Sequence, residues 1–389
     1  MKVPLLDLKP QYLSLKRELD EAIIKVAESQ QFILGNELAA MEEDFEKYLN
    51  CKHAYGVSSG TDALLLALMA IDIQPDDEVI VPTYSFFATA GVVARLFAKP
   101  VLVENDPITF NIDPKDFKAK ITSKTKAVIP VHLFGQSAEM DEIMQIAQEH
   151  NIVVIEDAAQ AIGTQYKDGR FVGTIGHIGC FSFFPSKNLG CYGDGGLITT
   201  NDDNLAEIIR IKRVHGGEPK YYHKVIGGNF RLDALQATVL RVKLPHLQAW
   251  SDKRKYNAKL YNKLFIEAGL AEDVGKTSLD EKNKVLLPKA VYEDIPNLNN
   301  YHIYNQYIIR VEKRDQLREY LSKNEIGTEI YYPVPFHLQE CFSYLNYKKG
   351  DFPISEFSAN TSLAIPIYPE LTDEQIKYVV KTIKDFFEL

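Results

Sequence analysis

The chain has 389 residues, of which 46% are hydrophobic and 25% charged, so it should form about two domains with sizeable cores; this excludes a miniprotein or a largely disordered chain. Its 44 basic and 53 acidic residues give a net charge of −9, which disfavours a nucleic-acid surface as the main function, although a local basic patch for a small anion stays possible. No apolar stretch of about 18 residues and no signal-peptide core are found, so we expect a cytoplasmic protein without membrane contact. The four cysteines lie far apart and no histidine shows ligand spacing, so we expect no metal site.

Helix-spaced apolar residues alternate with short β-branched runs along the first part of the chain. The pattern predicts helices over 8–26, 37–49, 86–97 and 138–150, and strands over 77–82, 127–133 and 152–155. Such alternation is typical of βαβ units on a mostly parallel sheet.

A long helical pattern over 244–264 separates this part from a second one. There we expect a strand over 301–311 and helices over 315–323 and 372–389. The domains are therefore predicted as residues 1–245, with the N-terminal segment, and residues 246–389, with the linking helix.

A run of small polar residues, Ser58-Ser59-Gly60-Thr61-Asp62, follows a short strand and opens a helix rich in Leu and Ala. The free backbone N–H groups and the dipole of such a helix would face an anion, such as a phosphate. The same residues would also make an ordinary N-cap, and the run alone does not decide between the two interpretations.

Two further segments carry groups suited to catalysis. The strand of residues 152–155 ends at Glu156-Asp157, and the carboxyl ends of parallel strands are where α/β sheets place ligands; Asp157 could equally cap the next turn. Lys187 lies in an aromatic and Gly-rich stretch, where desolvation would free its amine to act as nucleophile and base. A lone lysine in such a loop is more often a surface residue, so this interpretation depends on all three sites together.

In this order, the motifs resemble those of pyridoxal-phosphate enzymes of the aspartate aminotransferase fold type, and specifically nucleotide-sugar aminotransferases. The matching segments are SGTDAL at 59–64, VPTYSF at 81–86, EDAAQ at 156–160, Ser182 with Lys187, GNFRLD at 228–233 and YPVPFH at 332–337. The resemblance implies an α/β fold with a mostly parallel seven-stranded sheet flanked by helices, and a smaller C-terminal α/β domain.

The resemblance also implies a role for each residue. Lys187 would hold pyridoxal phosphate as a Schiff base and move the substrate proton, and Asp157 would keep the pyridine nitrogen protonated. Gln160 would bond the phenolic oxygen and Phe86 would stack on the ring. The phosphate would be bound by Ser59, Gly60, Thr61, Ser182 and, from the neighbouring subunit of a homodimer, Asn229.

On the substrate side, the resemblance points to Tyr331, His337 and Phe184. Many relatives have tyrosine at the position of Phe184, so a substrate hydrogen bond is absent there. A loop that only packs the second domain is the alternative for His337. Arg231 lies near the segment where a carboxylate-binding arginine is expected, but we interpret it as part of a structural salt bridge.

The function implied is transfer of the amino group of L-glutamate, through pyridoxamine phosphate, to a nucleotide-linked keto-6-deoxy sugar. The sequence is most similar to 3-aminotransferases of dTDP-3-keto-6-deoxyhexoses, which make 3-amino-3,6-dideoxy sugar nucleotides and 2-oxoglutarate. Two alternatives stay open: a C-4 aminotransferase acting on a 4-keto sugar nucleotide, and a regulator that binds the cofactor without turnover.

Overall fold

Nine short strands and twelve α-helices organise the chain, and the computed structural model describes residues 1–388. The strands are β1 (His53–Val57), β2 (Glu78–Pro82), β3 (Lys99–Val103), β4 (Thr125–Val128), β5 (Val153–Asp157), β6 (Ile178–Ser182), β7 (Gly196–Thr200), β8 (Tyr307–Arg310) and β9 (Ser362–Ile365). The helices are α1 (Lys9–Ser29), α2 (Asn36–Leu49), α3 (Gly60–Ala70), α4 (Ala88–Arg95), α5 (Pro114–Ala119), α6 (Met140–His150), α7 (Asp203–Lys212), α8 (Ala234–Lys243), α9 (Leu247–Glu267), α10 (Arg314–Lys323), α11 (Pro353–Thr361) and α12 (Asp373–Phe387).

The first seven strands form one sheet in the order β1-β7-β6-β5-β4-β2-β3. All neighbours are parallel except β7, which is antiparallel to both β1 and β6. Strands β8 and β9 form a separate antiparallel pair in the second part of the chain. The α/β fold class predicted from the sequence is therefore confirmed.

Both faces of the large sheet are covered by apolar side chains. Val128 and Val154 belong to one buried cluster, whereas their neighbours Ala127 and Ile155 belong to another on the opposite face. Alternation of side chains along a strand explains the division, and burial on both faces explains why these strands are almost continuously apolar. The sheet is therefore the buried centre of this part of the chain.

Most of the predicted elements are found within a few residues of their expected bounds, but two strands are shorter. The strand predicted over 127–133 ends at Val128, just before Pro130, which has no N–H for the ladder. The strand predicted over 301–311 is restricted to Tyr307–Arg310, because Ile303 and Asn305 donate backbone hydrogen bonds to the 134–135 turn of the first part instead.

The predicted boundary between residues 245 and 246 falls in the single turn Leu244–His246 between α8 and α9. The N-terminal segment contacts the second part of the chain, since Val3 exchanges backbone hydrogen bonds with Glu325 and Gly327. The domain division itself stays a prediction. Among residues 1–388, no helix has the length and apolar character needed to cross a membrane.

A buried carboxyl group fixes the connection after β5. The Glu156 side chain is fully buried and accepts hydrogen bonds from the backbone N–H groups of Gly173, Ile175 and Gly176 at 2.6–2.7 Å. It also bonds His132 Nε2 at 2.8 Å, and His132 Nδ1 accepts from another backbone N–H at 3.0 Å. One side chain thus satisfies four donors that would otherwise be buried without partners.

We expect Glu156→Gln to lower the free energy of unfolding by about 2 to 4 kcal/mol, because the new NH2 group would face donors it cannot pair with. Urea unfolding of the cofactor-free protein measures this. The matched control is Glu149→Gln on an exposed helix surface, which should change stability by less than about 0.5 kcal/mol. Equal effects of the two substitutions would contradict the anchoring role of Glu156.

Candidate active site

A cavity of about 460 Å³ lies at the carboxyl ends of β5 and β6, between the large sheet and the second part of the chain. Strand ends, the start of α3 and a loop after α10 all contribute to its wall. Residues proposed from the sequence that line it are Ser59, Gly60, Thr61, Phe86, Asp157, Gln160, Ser182, Phe184, Lys187 and Tyr331.

The start of α3 has both an N-cap residue and free backbone amides that could bind an anion. Ser59 is the N-cap, and its Oγ accepts the Asp62 N–H at 3.0 Å, so the capping interpretation of this run is correct. The amides of Gly60 and Thr61, in the first turn, have no intrahelical acceptor and line the cavity. A Cβ on Gly60 would lie 2.7 Å from the Ser182 Cβ, so glycine is required for this close approach.

Asp157 is buried at the end of β5, where both of its oxygens are hydrogen bonded. Oδ2 accepts from Thr89 Oγ1 at 2.8 Å, and Oδ1 accepts from the Ala159 N–H at 3.2 Å. Burial raises the pKa of this carboxyl group, while the Thr89 hydrogen bond and the nearby Lys187 oppose the rise. The residue therefore caps its turn and lines the cavity at the same time.

Gln160 is held in one orientation by its two neighbours. Its Oε1 accepts the Phe134 N–H at 2.7 Å, and its Nε2 donates to the Tyr332 hydroxyl at 3.1 Å. Because a backbone N–H requires an acceptor, the amide oxygen is assigned to that side. The NH2 group keeps one further hydrogen for a ligand oxygen.

Lys187 is the one lysine among the residues that line the cavity in the described part of the chain. Burial lowers its pKa to about 8, although the negative charge of Asp157 acts to raise this pKa. Within residues 1–388, no carboxylate forms a salt bridge with this amine. The backbone is held by hydrogen bonds from Lys187 N to Phe184 O at 2.9 Å and from Asn188 Nδ2 to Ile303 O at 3.0 Å.

Two predicted residues, His337 and Arg231, have surroundings that differ from the expected ones. His337 is buried and does not line the cavity; its Nε2 bonds Glu356 Oε1 at 2.9 Å and its ring packs on Phe352. This placement agrees with the alternative of a packing loop, and a contact with substrate stays a prediction. Arg231 forms no ion pair within the described part of the chain, and its Nε lacks a hydrogen-bond partner, so the expected salt bridge is not found. Asn229, which is expected to act in the neighbouring subunit, is exposed and does not line this chain's own cavity, and its role stays a prediction.

Sequence reasoning missed Thr89, Tyr332 and Gln306 as parts of the site. Thr89 lies in the first turn of α4, and its hydrogen bond to Asp157 on β5 is a tertiary contact that no sequence signal pointed to. Tyr332 was part of a recognised motif. Gln306 lines the cavity from just before β8, and no sequence signal pointed to it.

The set of groups around the cavity fits pyridoxal phosphate. It provides an amine, a carboxylate for a ring nitrogen, an amide N–H for a phenolic oxygen, and a helix start with the Ser182 hydroxyl for a phosphate. Because Gly60 and Ser182 lie close together, the helix start and the Ser182 hydroxyl could bind the same phosphate.

The family is decided by comparison with known proteins. Residues 14–384 match the DegT/DnrJ/EryC1/StrS aminotransferase family. The chain belongs to this family. Its members are pyridoxal-phosphate-dependent aminotransferases, and a related structure of NtdA from Bacillus subtilis contains pyridoxamine phosphate; it is 29% identical over 99% of this chain and 85% of its own, with a TM-score of 0.85.

Similar members of the family carry different functional names. A "pleiotropic regulatory protein" of Geobacillus stearothermophilus is 49% identical over 100% of this chain and 99% of its own length. A UDP-N-acetyl-3-dehydro-alpha-D-glucosamine 3-aminotransferase of Acidithiobacillus ferrooxidans is 40% identical, covering 98% and 97%. A dTDP-3-amino-3,4,6-trideoxy-alpha-D-glucose transaminase of Streptomyces venezuelae is 39% identical, covering 100% and 97%.

The crystal structure of S. venezuelae DesV in complex with a ketimine intermediate is also similar. It has a TM-score of 0.91 and 38% identity, and the match covers 100% of this chain and 99% of that one. The fold of this family member is therefore an experimentally known aminotransferase fold.

The lowered pKa of Lys187 gives a testable pH dependence. We expect the cofactor-free protein to react with pyridoxal phosphate at a rate that rises with pH and levels off above about 8, because only the uncharged amine attacks the aldehyde. Stopped-flow absorbance in the visible range measures the rate, and Lys187→Ala is the control that should give no such signal. A midpoint near the ordinary lysine value of 10.5 would contradict the burial argument.

Proposed function

We propose that the protein transfers the amino group of L-glutamate to the keto carbon of a dTDP-linked 3-keto-6-deoxyhexose, giving a 3-amino-3,6-dideoxy sugar nucleotide and 2-oxoglutarate. The observation that carries this proposal is the juxtaposition of the Lys187 amine and the Asp157 carboxylate in one cavity of an aminotransferase-family chain. The names of the S. venezuelae and A. ferrooxidans relatives, both of which specify amino transfer at C-3, support the position.

In this proposal, Lys187 holds the cofactor and its Nζ moves the proton. Bound pyridoxal phosphate supplies an electron sink that makes removal of a proton from the substrate carbon possible. A pKa of about 8 leaves about one tenth of the amine uncharged at pH 7, against roughly one part in 3,000 for a pKa of 10.5. The burial of Lys187 therefore increases the amount of base by a factor of several hundred.

The remaining polar residues of the cavity would bind the cofactor and hold it in one orientation. Asp157 would keep a positive charge on the ring nitrogen, and Gln160 would donate its free N–H to the phenolic oxygen. The Gly60 and Thr61 amides, with the Ser182 hydroxyl, would bind the phosphate.

The substrate side of the cavity is largely apolar. Phe86 and Phe184 are 55% and 52% exposed at its mouth, and Tyr331 closes one side. The two phenylalanines would cover the cofactor and the sugar, and would exclude water from the reacting atoms.

A second subunit would complete the site. Within residues 1–388, Lys187 is the one cationic side chain in the cavity wall, although the cofactor, glutamate and a nucleotide sugar are all anions. The segment before Asn229 exposes Tyr221 and Ile226, at 80% and 85%, and also carries Lys220 and Lys224. We propose that this segment enters the site of a partner in a homodimer, with Asn229 on its phosphate.

The shared site predicts complementation between two damaged chains. Lys187→Ala and Asn229→Ala homodimers should both be strongly impaired. In a hybrid dimer, however, one of the two sites has an intact Lys187 from one chain and an intact Asn229 from the other. Differently tagged chains, co-expressed and purified as hybrids, should show about half of the wild-type activity per dimer. Hybrids that stay inactive, or an active monomer in sedimentation experiments, would contradict the shared site.

The name of the G. stearothermophilus relative gives a specific reason to keep a regulatory function as the second candidate. A regulator needs to bind the cofactor but does not need a reactive amine. The lowered pKa of Lys187 and its position beside Asp157 favour catalysis. Single-turnover release of 2-oxoglutarate from the loaded protein with L-glutamate separates the two candidates.

The direct test incubates the loaded protein with L-glutamate and a panel of dTDP- and UDP-linked 3-keto and 4-keto sugars, with products identified by mass spectrometry and NMR. We expect a higher kcat/KM for the dTDP-linked 3-keto sugar, and no product with Lys187→Ala. A higher kcat/KM for a 4-keto sugar would correct the position of amination alone. Failure to form 2-oxoglutarate would contradict the aminotransferase function.

A further inference from the structure

Thr89 makes the closest hydrogen bond to the Asp157 carboxylate. It lies in the first turn of α4, its side chain is fully buried, and its Oγ1 is 2.8 Å from Asp157 Oδ2. On its other side, Thr89 Oγ1 is 3.1 Å from the hydroxyl of Ser85, which lines the cavity. Within residues 1–388, no other side chain donates a hydrogen bond to Asp157.

The direction of these hydrogen bonds follows from the number of hydrogens. An ionised carboxylate only accepts, so the single hydrogen of the Thr89 hydroxyl is committed to Asp157. The Ser85 hydroxyl must then donate to Thr89. The result is a directed chain from Ser85 through Thr89 to Asp157, in which each donor strengthens the next.

Asp157 lines the cavity and can accept further hydrogen bonds from a bound cofactor. A carboxylate offers about four acceptor positions, of which Thr89 and the Ala159 amide use two. The plane of the carboxylate is therefore fixed by a donor on each oxygen. A ring N–H of a cofactor would meet a group that is already oriented.

We propose that Thr89 is a positioning residue, which holds Asp157 ionised and oriented so that the proton shared with the ring nitrogen of pyridoxal phosphate stays on nitrogen. The inference rests on the proposed role of Asp157. Without the Thr89 hydroxyl, the same proton would move toward an oxygen of Asp157, and the ring would lose the positive charge that makes it an electron sink.

The charged neighbours of Asp157 do not replace this hydrogen bond. Lys187 also favours the ionised carboxylate, but it does so only while its amine carries a proton. His132 directs its two ring nitrogens elsewhere, to the Ala138 N–H and to Glu156. Tyr332 and Cys180, which are packed nearby, have pKa values raised by burial and contribute no positive charge. The donations from the Thr89 hydroxyl and from the Ala159 amide do not change with pH, and Thr89 is the one of the two that comes from a side chain.

The test compares Thr89→Val, which keeps the shape and removes the hydroxyl, with Thr89→Ser, which keeps the hydroxyl. Each variant is loaded with pyridoxal phosphate labelled with ¹⁵N in the ring, and the nitrogen chemical shift is followed against pH. We expect wild type and Thr89→Ser to show a protonated nitrogen, and Thr89→Val to shift toward the neutral pyridine value. In glutamate turnover, kcat should fall about ten- to a hundredfold in Thr89→Val, with a small change in KM, and by less than about threefold in Thr89→Ser.

Two controls keep the outcomes distinct. Melting of the cofactor-free variants shows whether Thr89→Val folds, and Thr89→Ala takes its place if it does not. Asp157→Asn should shift the nitrogen further than Thr89→Val; an unchanged nitrogen in Asp157→Asn would overturn the role of Asp157, and the present inference with it. If Asp157→Asn shifts the nitrogen but Thr89→Val and Thr89→Ala do not, only the role of Thr89 is wrong.

Discussion

The proposed function depends on one constraint: the Asp157 carboxylate has to stay charged while buried at the carboxyl end of β5. Burial disfavours the charged form, so it must be offset by hydrogen bonds and nearby positive charge. The fold supplies these from three elements: the Thr89 hydroxyl of α4, the Ala159 amide of the following turn, and the Lys187 amine after β6. All three follow strands of the same sheet: α4 follows β2, the Ala159 turn follows β5, and Lys187 follows β6.

Two adjacent carboxyl groups on β5 have opposite tasks because side chains alternate along a strand. Glu156 points toward the 173–176 connection and His132, where its carboxylate accepts four hydrogen bonds. It does not line the cavity. Asp157 points the other way, into the cavity. Glu156 thus stabilises the end of the strand, whereas Asp157 would take part in the chemistry. Substitutions at the two positions can test these roles separately.

The sequence was informative where chemistry and strand ends coincide. A carboxylate at the end of an apolar strand and a lysine in an aromatic, Gly-rich stretch make Asp157 and Lys187 candidates, and the order of the motifs with their family resemblance selects them. Both residues line the cavity. The burial of His337 is not predictable from the local pattern, because its partner, Glu356, lies 19 residues away and nothing shows that the two meet in the interior. The strand over 301–311 was overestimated because hydrogen bonds to the 134–135 turn override local β propensity. Thr89 and Gln306 contribute through tertiary contacts that periodicity does not report.

The central proposal is that Lys187, and no other lysine, binds the cofactor. Lys243 is the natural comparison, because burial lowers its pKa to about 8 as well, yet its amine donates to Gly190 O at 2.7 Å and does not line the cavity. Reduction of the pyridoxal-phosphate-loaded protein with borohydride, followed by digestion and mass spectrometry, identifies the lysine that binds the cofactor. We predict a single stable label on the peptide that contains Lys187. A label on Lys243 or on any other lysine, with Lys187 unmodified, would contradict the account.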